Sequence, residues 1–209
     1  MRKARAMKTP ASIAVLLALA ACTRPAERVA VAPAVAVVEA VEPSPSAGNP
    51  LVAGADLPPD RTIAANLAAA PMLSTLTRAA AASGQTAPLE AARAMTLFAP
   101  TDEAFGRLAP GTVEALMKPE NRGPLTRLVT LHLVSGRHSS ADLIRRIRAG
   151  NGTATLTTVA GEPLTLTLTG AIVTLTDAGG NKSYVEVADV RETNGVMHIV
   201  NGVLVPRLP

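Results

Sequence analysis

Few side chains in this sequence could do chemistry. There are three histidines, His132, His138 and His198, and a single cysteine, Cys22. A bound transition metal needs several such ligands at set spacings, and no two of these histidines stand at one. A general base needs a carboxylate or nucleophile converging on it. His132 lies between Leu131 and Leu133, and His198 between Met197 and Ile199. An imidazole inside an apolar run is expected in the core, satisfied by hydrogen bonds. The competing role is titration in a pocket, as part of an enzyme or small-molecule site. Asp102 and Glu103 form the one carboxylate pair worth weighing. Adjacent residues in a first helical turn diverge, so they are expected to answer the helix dipole rather than share a reaction. There is no G-x-S-x-G, no P-loop and no G-x-G-x-x-G, and neither a catalytic residue nor a cofactor is expected.

Arginine is the other candidate. Arg137 is followed by Arg145, Arg146 and Arg148, the densest charge outside the first residues. Guanidinium groups at this spacing could form an anion patch for acidic polysaccharide or lipopolysaccharide, or simply a solvated helix face. The whole chain carries +4. Arg2, Lys3, Arg5 and Lys8 supply that excess, and the remaining charges balance. Nucleic acid is therefore not expected as a partner.

These residues need elements to position them, and the first 60 residues supply none. Residues 1–21 read as a leader: a basic start, then the apolar run Ala11 to Ala18, too short to span a bilayer. It closes on Leu19-Ala20-Ala21-Cys22, which resembles a bacterial lipobox. That resemblance implies cleavage before Cys22 and lipid on its sulfur. Thr23 after the cysteine, in place of Asp, favours the outer membrane if the cell is Gram-negative. Residues 22–60 are rich in Ala, Val and Pro and are expected to be a disordered linker holding the domain off a membrane surface.

The domain is expected over 61–209. Thr62 to Ala70 and Met72 to Ser83 have helical spacing, the second stopped by Gly84. Met95 to Ala99 reads as a buried strand ending at Pro100. Thr101 then suits an N-cap, and Phe105 and Leu108 share a helical face. Phe98 and Phe105, the only phenylalanines, are expected as the large pieces of the core. Further helices are expected from a cap at Thr112, from Pro124 to Leu131, and from a cap at Ser140 through Arg148. Thereafter the pattern has period 2: Thr153 to Val159, Leu164 to Thr169, Ile172 to Thr176, Ser183 to Val187 and Val196 to Val205, divided by glycine turns. A helical half followed by a β half is α+β.

Three segments resemble one family in order and spacing. Thr96-Leu97-Phe98-Ala99-Pro100-Thr101-Asp102-Glu103-Ala104-Phe105 is similar to the first signature of fasciclin (FAS1) domains. Leu128 to Gly136, containing His132, is similar to the central Tyr-His segment. Asp189-Val190, with Asn194 through Pro206, is similar to the C-terminal signature. One departure is Leu131, which stands where the family usually has Tyr. The resemblance implies a twisted β-sandwich or wedge with a helical layer. It also implies a domain for adhesion to proteins or glycans, without enzymatic activity; taken with the arginine cluster, the expected partner is an envelope or extracellular protein or an acidic glycan. On that basis His132, Asp189 and Val190 join Arg137, Arg145, Arg146 and Arg148 as candidate contact residues, with the membrane reached through lipid on Cys22.

Overall fold

The computed structural model describes residues 48–207; Cys22 and most of the expected linker lie outside them. Seven α-helices and seven strands follow. They are α1 (Ile63–Ala69), α2 (Ser74–Ser83), α3 (Thr86–Glu90), β1 (Met95–Pro100), α4 (Asp102–Gly106), α5 (Thr112–Leu116), α6 (Arg122–Leu131), β2 (Leu133–Ser135), α7 (Ser140–Ala149), β3 (Thr153–Thr157), β4 (Pro163–Thr169), β5 (Ile172–Thr176), β6 (Lys182–Glu192) and β7 (Gly195–Val200). Helices dominate the first half and strands the second, so the fold is α+β.

The strands form a mixed sheet in the order β2-β1-β7-β6-β5-β4-β3. β1 and β7 run parallel, Phe98 opposite His198, and the other pairs are antiparallel. β6 is long enough to pair with β5 near its start and with β7 further along. Its register slips between Val185 and Val187 and again before Val190; such bulges bend a strand and increase twist. The two edge strands then come together. Val134 of β2 bridges Thr158, and the amide of Val159 donates to the carbonyl of Leu133 at 2.7 Å.

This curled sheet separates two cores. β1 is buried along its whole length, as a strand covered on both faces must be. Leu97 and Ala99 face the helical layer, with Leu67, Leu73, Leu76 and Phe105. Phe98 faces the other way, into Leu131, Leu143, Ile147 and the β3–β5 side chains. The two phenylalanines are thus both buried, but on opposite sides of one strand. Alternation of side chains along β1 dictates this.

Several local expectations hold. Thr101 accepts from the amide of Ala104 at 3.1 Å and caps α4. Gly84 ends α2 at φ 76°, a left-handed cap suited to glycine. Others are corrected. Thr112 does not cap α5; that position is Gly111, with no side-chain bond. α7 is capped by Ser139, whose hydroxyl and Asp142 form a capping box, while Ser140 is its first residue. β6 runs to Glu192, past the expected Val187, and β7 stops at Val200. Packed chain also begins before Arg61. The Asn49 amide donates to the carbonyls of Leu57 and Arg191 and accepts from the Arg191 amide, and Val52 and Leu57 are fully buried.

Candidate functional site

His132 ends α6 and has no solvent exposure. Its Nε2 accepts from the amide of Leu204 at 3.0 Å, so its Nδ1 carries the proton and donates to the carbonyl of Leu128 at 2.8 Å. Both ring nitrogens serve backbone. Burial pulls its pKa down to about 4, outweighing the Leu128 carbonyl and the Asp177 charge that favour the cation. The imidazole is neutral at physiological pH and stitches the C-terminal segment to α6.

His198, on β7, works the same way in mirror image. The amide of Asp189 donates to its Nδ1 at 3.2 Å, and its Nε2 donates to the carbonyl of His138 at 2.8 Å. Burial again lowers its pKa. Its ring stacks on Phe98, centroids 5.5 Å apart. It touches one small cavity, where Ser140 is the only other polar side chain, and the Ser140 hydroxyl is itself bound to Asp189. Neither histidine is therefore poised as a base. Among the described residues no three His, Cys, Asp or Glu side chains converge as metal ligands would.

Asp189 occupies the left-handed region at φ 62°, unusual for a residue with a Cβ but tolerated by Asp. Its carboxylate accepts from the amide of Ser140 at 2.8 Å and from the Ser140 hydroxyl. Its amide meanwhile binds His198. The bulged region of β6 thus grips the first turn of α7. Val190 beside it is fully buried in the helical-layer core. Three expected contact residues are accordingly corrected. His132 and Val190 are interior, and Asp189 is half-buried and occupied in anchoring a helix. Leu131, at the family's tyrosine position, is interior too, packed with Phe98.

The arginines remain at the surface but do not form one patch. Arg137 donates to the carbonyl of Thr193 in the β6–β7 turn. Arg145 pairs with Asp142 along α7. Arg146 and Arg148, both exposed, make no ion pair among the described residues. They lie in the last turn of α7, where the dipole favours cations. Leu143 and Ile147 bury the opposite face of the helix.

Two features escaped the sequence. Glu192, 2% exposed, has both carboxylate oxygens without a hydrogen-bond partner, and so has the Oδ1 of buried Asn66. Burial pushes the Glu192 pKa up to about 8, against the opposing pull of Asn66, Arg137 and the Met197 backbone. The carboxyl is therefore largely protonated at neutral pH. A charged residue inside a strand gives no sequence signal for this. Asn194-Gly195 did stand out, as part of a signature, but its role was hidden. The Asn194 side chain accepts from the amide of Ile63 and donates to the carbonyls of Leu89 and Ala91, fastening α1 to α3. Gly195 leaves no room for a side chain: a Cβ there would lie 2.2 Å from the carbonyl oxygen of Met95.

A helical layer on a curled mixed sheet, with both motif histidines bonded to backbone, is the class of domain these residues build. The chain belongs to the fasciclin family: the sequence model of the Fasciclin domain matches residues 71–206. Domains of this family are generally adhesion or interaction domains and generally not enzymes, and they occur in extracellular or secreted proteins. The chain is 36% identical over 133 residues to protein sll1483 of Synechocystis sp., covering 64% of this chain and 67% of that one. It is 33% identical over 148 residues to immunogenic protein MPB70 of Mycobacterium bovis, 65% of this chain and 64% of that protein. In fold it is similar to a FAS1 domain pair from the insect cell adhesion molecule fasciclin I. There the TM-score is 0.64 at 20% identity, over 71% of this chain and 52% of the pair. The chain thus spans about half the length of that solved structure.

Proposed function

We propose that this protein is a lipid-anchored interaction module of a bacterial cell envelope that binds an acidic glycan, or an acidic envelope protein, through the outer face of α7. What supports it most is how α7 is held. The capping box at Ser139 and the grip of Asp189 on Ser140 fix the helix start, and Leu143 and Ile147 fix its inner face. Arg145 and Arg148, one turn apart on the exposed side, are thereby presented on a rigid support. The Arg145–Asp142 pair does not forbid this. Its partners are 74% and 35% exposed, and such surface pairs are weak enough to exchange for a ligand carboxylate or phosphate. Arg146 adds charge from the flank.

Anchoring rests on Leu19-Ala20-Ala21-Cys22. No helix among the described residues is long and apolar enough to cross a membrane. Thr23 after the cysteine favours attachment to the outer membrane if the cell is Gram-negative.

The test is a binding titration of an acidic polysaccharide, alginate, against the full chain over rising salt. Exposed charges are screened over about 8 Å at physiological ionic strength, so affinity should fall steadily. Arg145→Glu with Arg148→Glu should abolish binding at low salt and leave the fold intact by circular dichroism, at a small cost in stability from the lost Asp142 pair and the helix dipole. Undiminished binding by that double variant would sink the α7 assignment. Cys22→Ser should move the protein from the membrane to the soluble fraction; membrane retention after leader cleavage would sink the anchor.

A further inference from the structure

A cavity of about 590 Å³ opens where β2 meets the turn after β3, with neither His132 nor His198 in its lining. That volume lies within the range of small-molecule sites. We propose that it binds a single-chain aliphatic carboxylate, such as a medium-length fatty acid.

The apolar part is built from Met95 and Leu133, both buried, with Pro88 to one side. Val159 forms another wall and stands 46% exposed, one of the few large apolar side chains left in water. An apolar chain lying against Val159 would cover it. Four polar side chains line it: Gln85 before α3, Arg93 before β1, Ser135 at the end of β2, and Thr158, whose hydroxyl is already bonded to the Glu162 backbone. Gln85, Arg93 and Ser135 make no side-chain hydrogen bond or ion pair with another described residue. Glu90, the acid nearest to Arg93 in sequence, lines a different cavity. The guanidinium is therefore free to fork onto a carboxylate, with an amide and a hydroxyl beside it.

The lining gives a planar ring no aromatic side chain to stack on. The sequence has two Phe, one Tyr and no Trp, and none of them lines this cavity. No platform is present on which a base could stack. What remains is burial of a flexible aliphatic chain, favourable in proportion to the area removed from water. One cation calls for one anionic head.

The experiment is titration calorimetry of the full chain carrying Cys22→Ser, with decanoate, decanol and decyltrimethylammonium as probes below their aggregation concentrations. Decanoate should bind, decanol more weakly, and the cationic amphiphile least. Arg93→Gln should weaken decanoate about tenfold, the worth of a charge-assisted hydrogen bond, and leave decanol unchanged. Arg93 is exposed, so the fold tolerates the change. Ser135→Trp should fill the cavity and remove binding of both probes. The proposal is overturned if decanoate fails to bind, if all three amphiphiles bind equally, or if either variant binds decanoate like the parent. Arg145→Glu with Arg148→Glu should leave decanoate binding untouched, which separates failure here from failure of the α7 reading.

Discussion

Glu192 makes the stability of this protein depend on pH in a way that can be worked out in advance. Folding holds its pKa near 8, against an ordinary 4.5. Between those values the folded protein keeps a proton that the unfolded chain has released. Stability therefore falls as pH rises through this window and levels off above about 8. His132 and His198 act oppositely. Their pKa values are depressed on folding, His132 from 6.5 to about 4. Below pH 6.5 the unfolded chain gains protons that the folded one refuses, so their contribution is lost as the solution is acidified. Two histidines outweigh one glutamate below 6.5, and only the glutamate acts above it. Stability should peak near pH 6.5 and then decline. At about 1.4 kcal/mol per pH unit, the fall from 6.5 to 8 is roughly 2 kcal/mol. The assay is urea unfolding of the parent and Glu192→Gln at closely spaced pH values from 5 to 9.5. Glutamine keeps the shape and cannot ionise, so the variant should hold its stability through pH 8. Parallel curves for parent and variant above pH 6.5 would refute the buried, protonated carboxyl.

Three further outcomes follow from packing. Phe98→Ala should cost about 3–5 kcal/mol in chemical unfolding, because the ring is fully buried and also supports His198. Gly195→Ala should destabilise by roughly 1–3 kcal/mol, since its Cβ would meet the Met95 carbonyl and the Cδ1 of Ile63 at 2.6 Å; an unchanged melting temperature would contradict that approach. Asp189→Ala should cost about 1–2 kcal/mol and speed amide exchange in the first turn of α7, whereas Asp189→Asn, which keeps an acceptor and tolerates the left-handed backbone, should cost less.

Local chemistry was legible where a decision depends on neighbours in sequence. Thr101 caps α4 because its hydroxyl needs only the amide three residues on, and Gly84 ends α2 for an equally local reason. The burial of His132 and His198 followed from the apolar residues on either side. Ser139 against Ser140 shows where this stops. Either serine could cap a helix; Asp142 supplies the box to one, and Asp189, far along the chain, recruits the other. β6 was cut short because its bulges break the period-2 pattern beyond Val187. α3 is a single turn containing Pro88, too short to show periodicity. The surface roles assigned to His132 and Val190 came from a motif, and the residues of a motif read the same whether they pack inward or face a partner. Arg137 sat near the other arginines in sequence, but the Thr193 carbonyl holds it at the β6–β7 turn.

The parallel pairing of β1 with β7 also sets an order of events. Met95 meets Gly195 and Pro100 meets Val200, so a central pair of the sheet joins an early strand to the last one. Asn49 reaches still further, to Arg191. During synthesis neither core can close until β7 has left the ribosome, because β1 lacks a neighbour on one side until then. Such distant pairings slow folding. Closure of either core therefore waits for the arrival of β7, and the helices and strands made before it hold only local contacts until then.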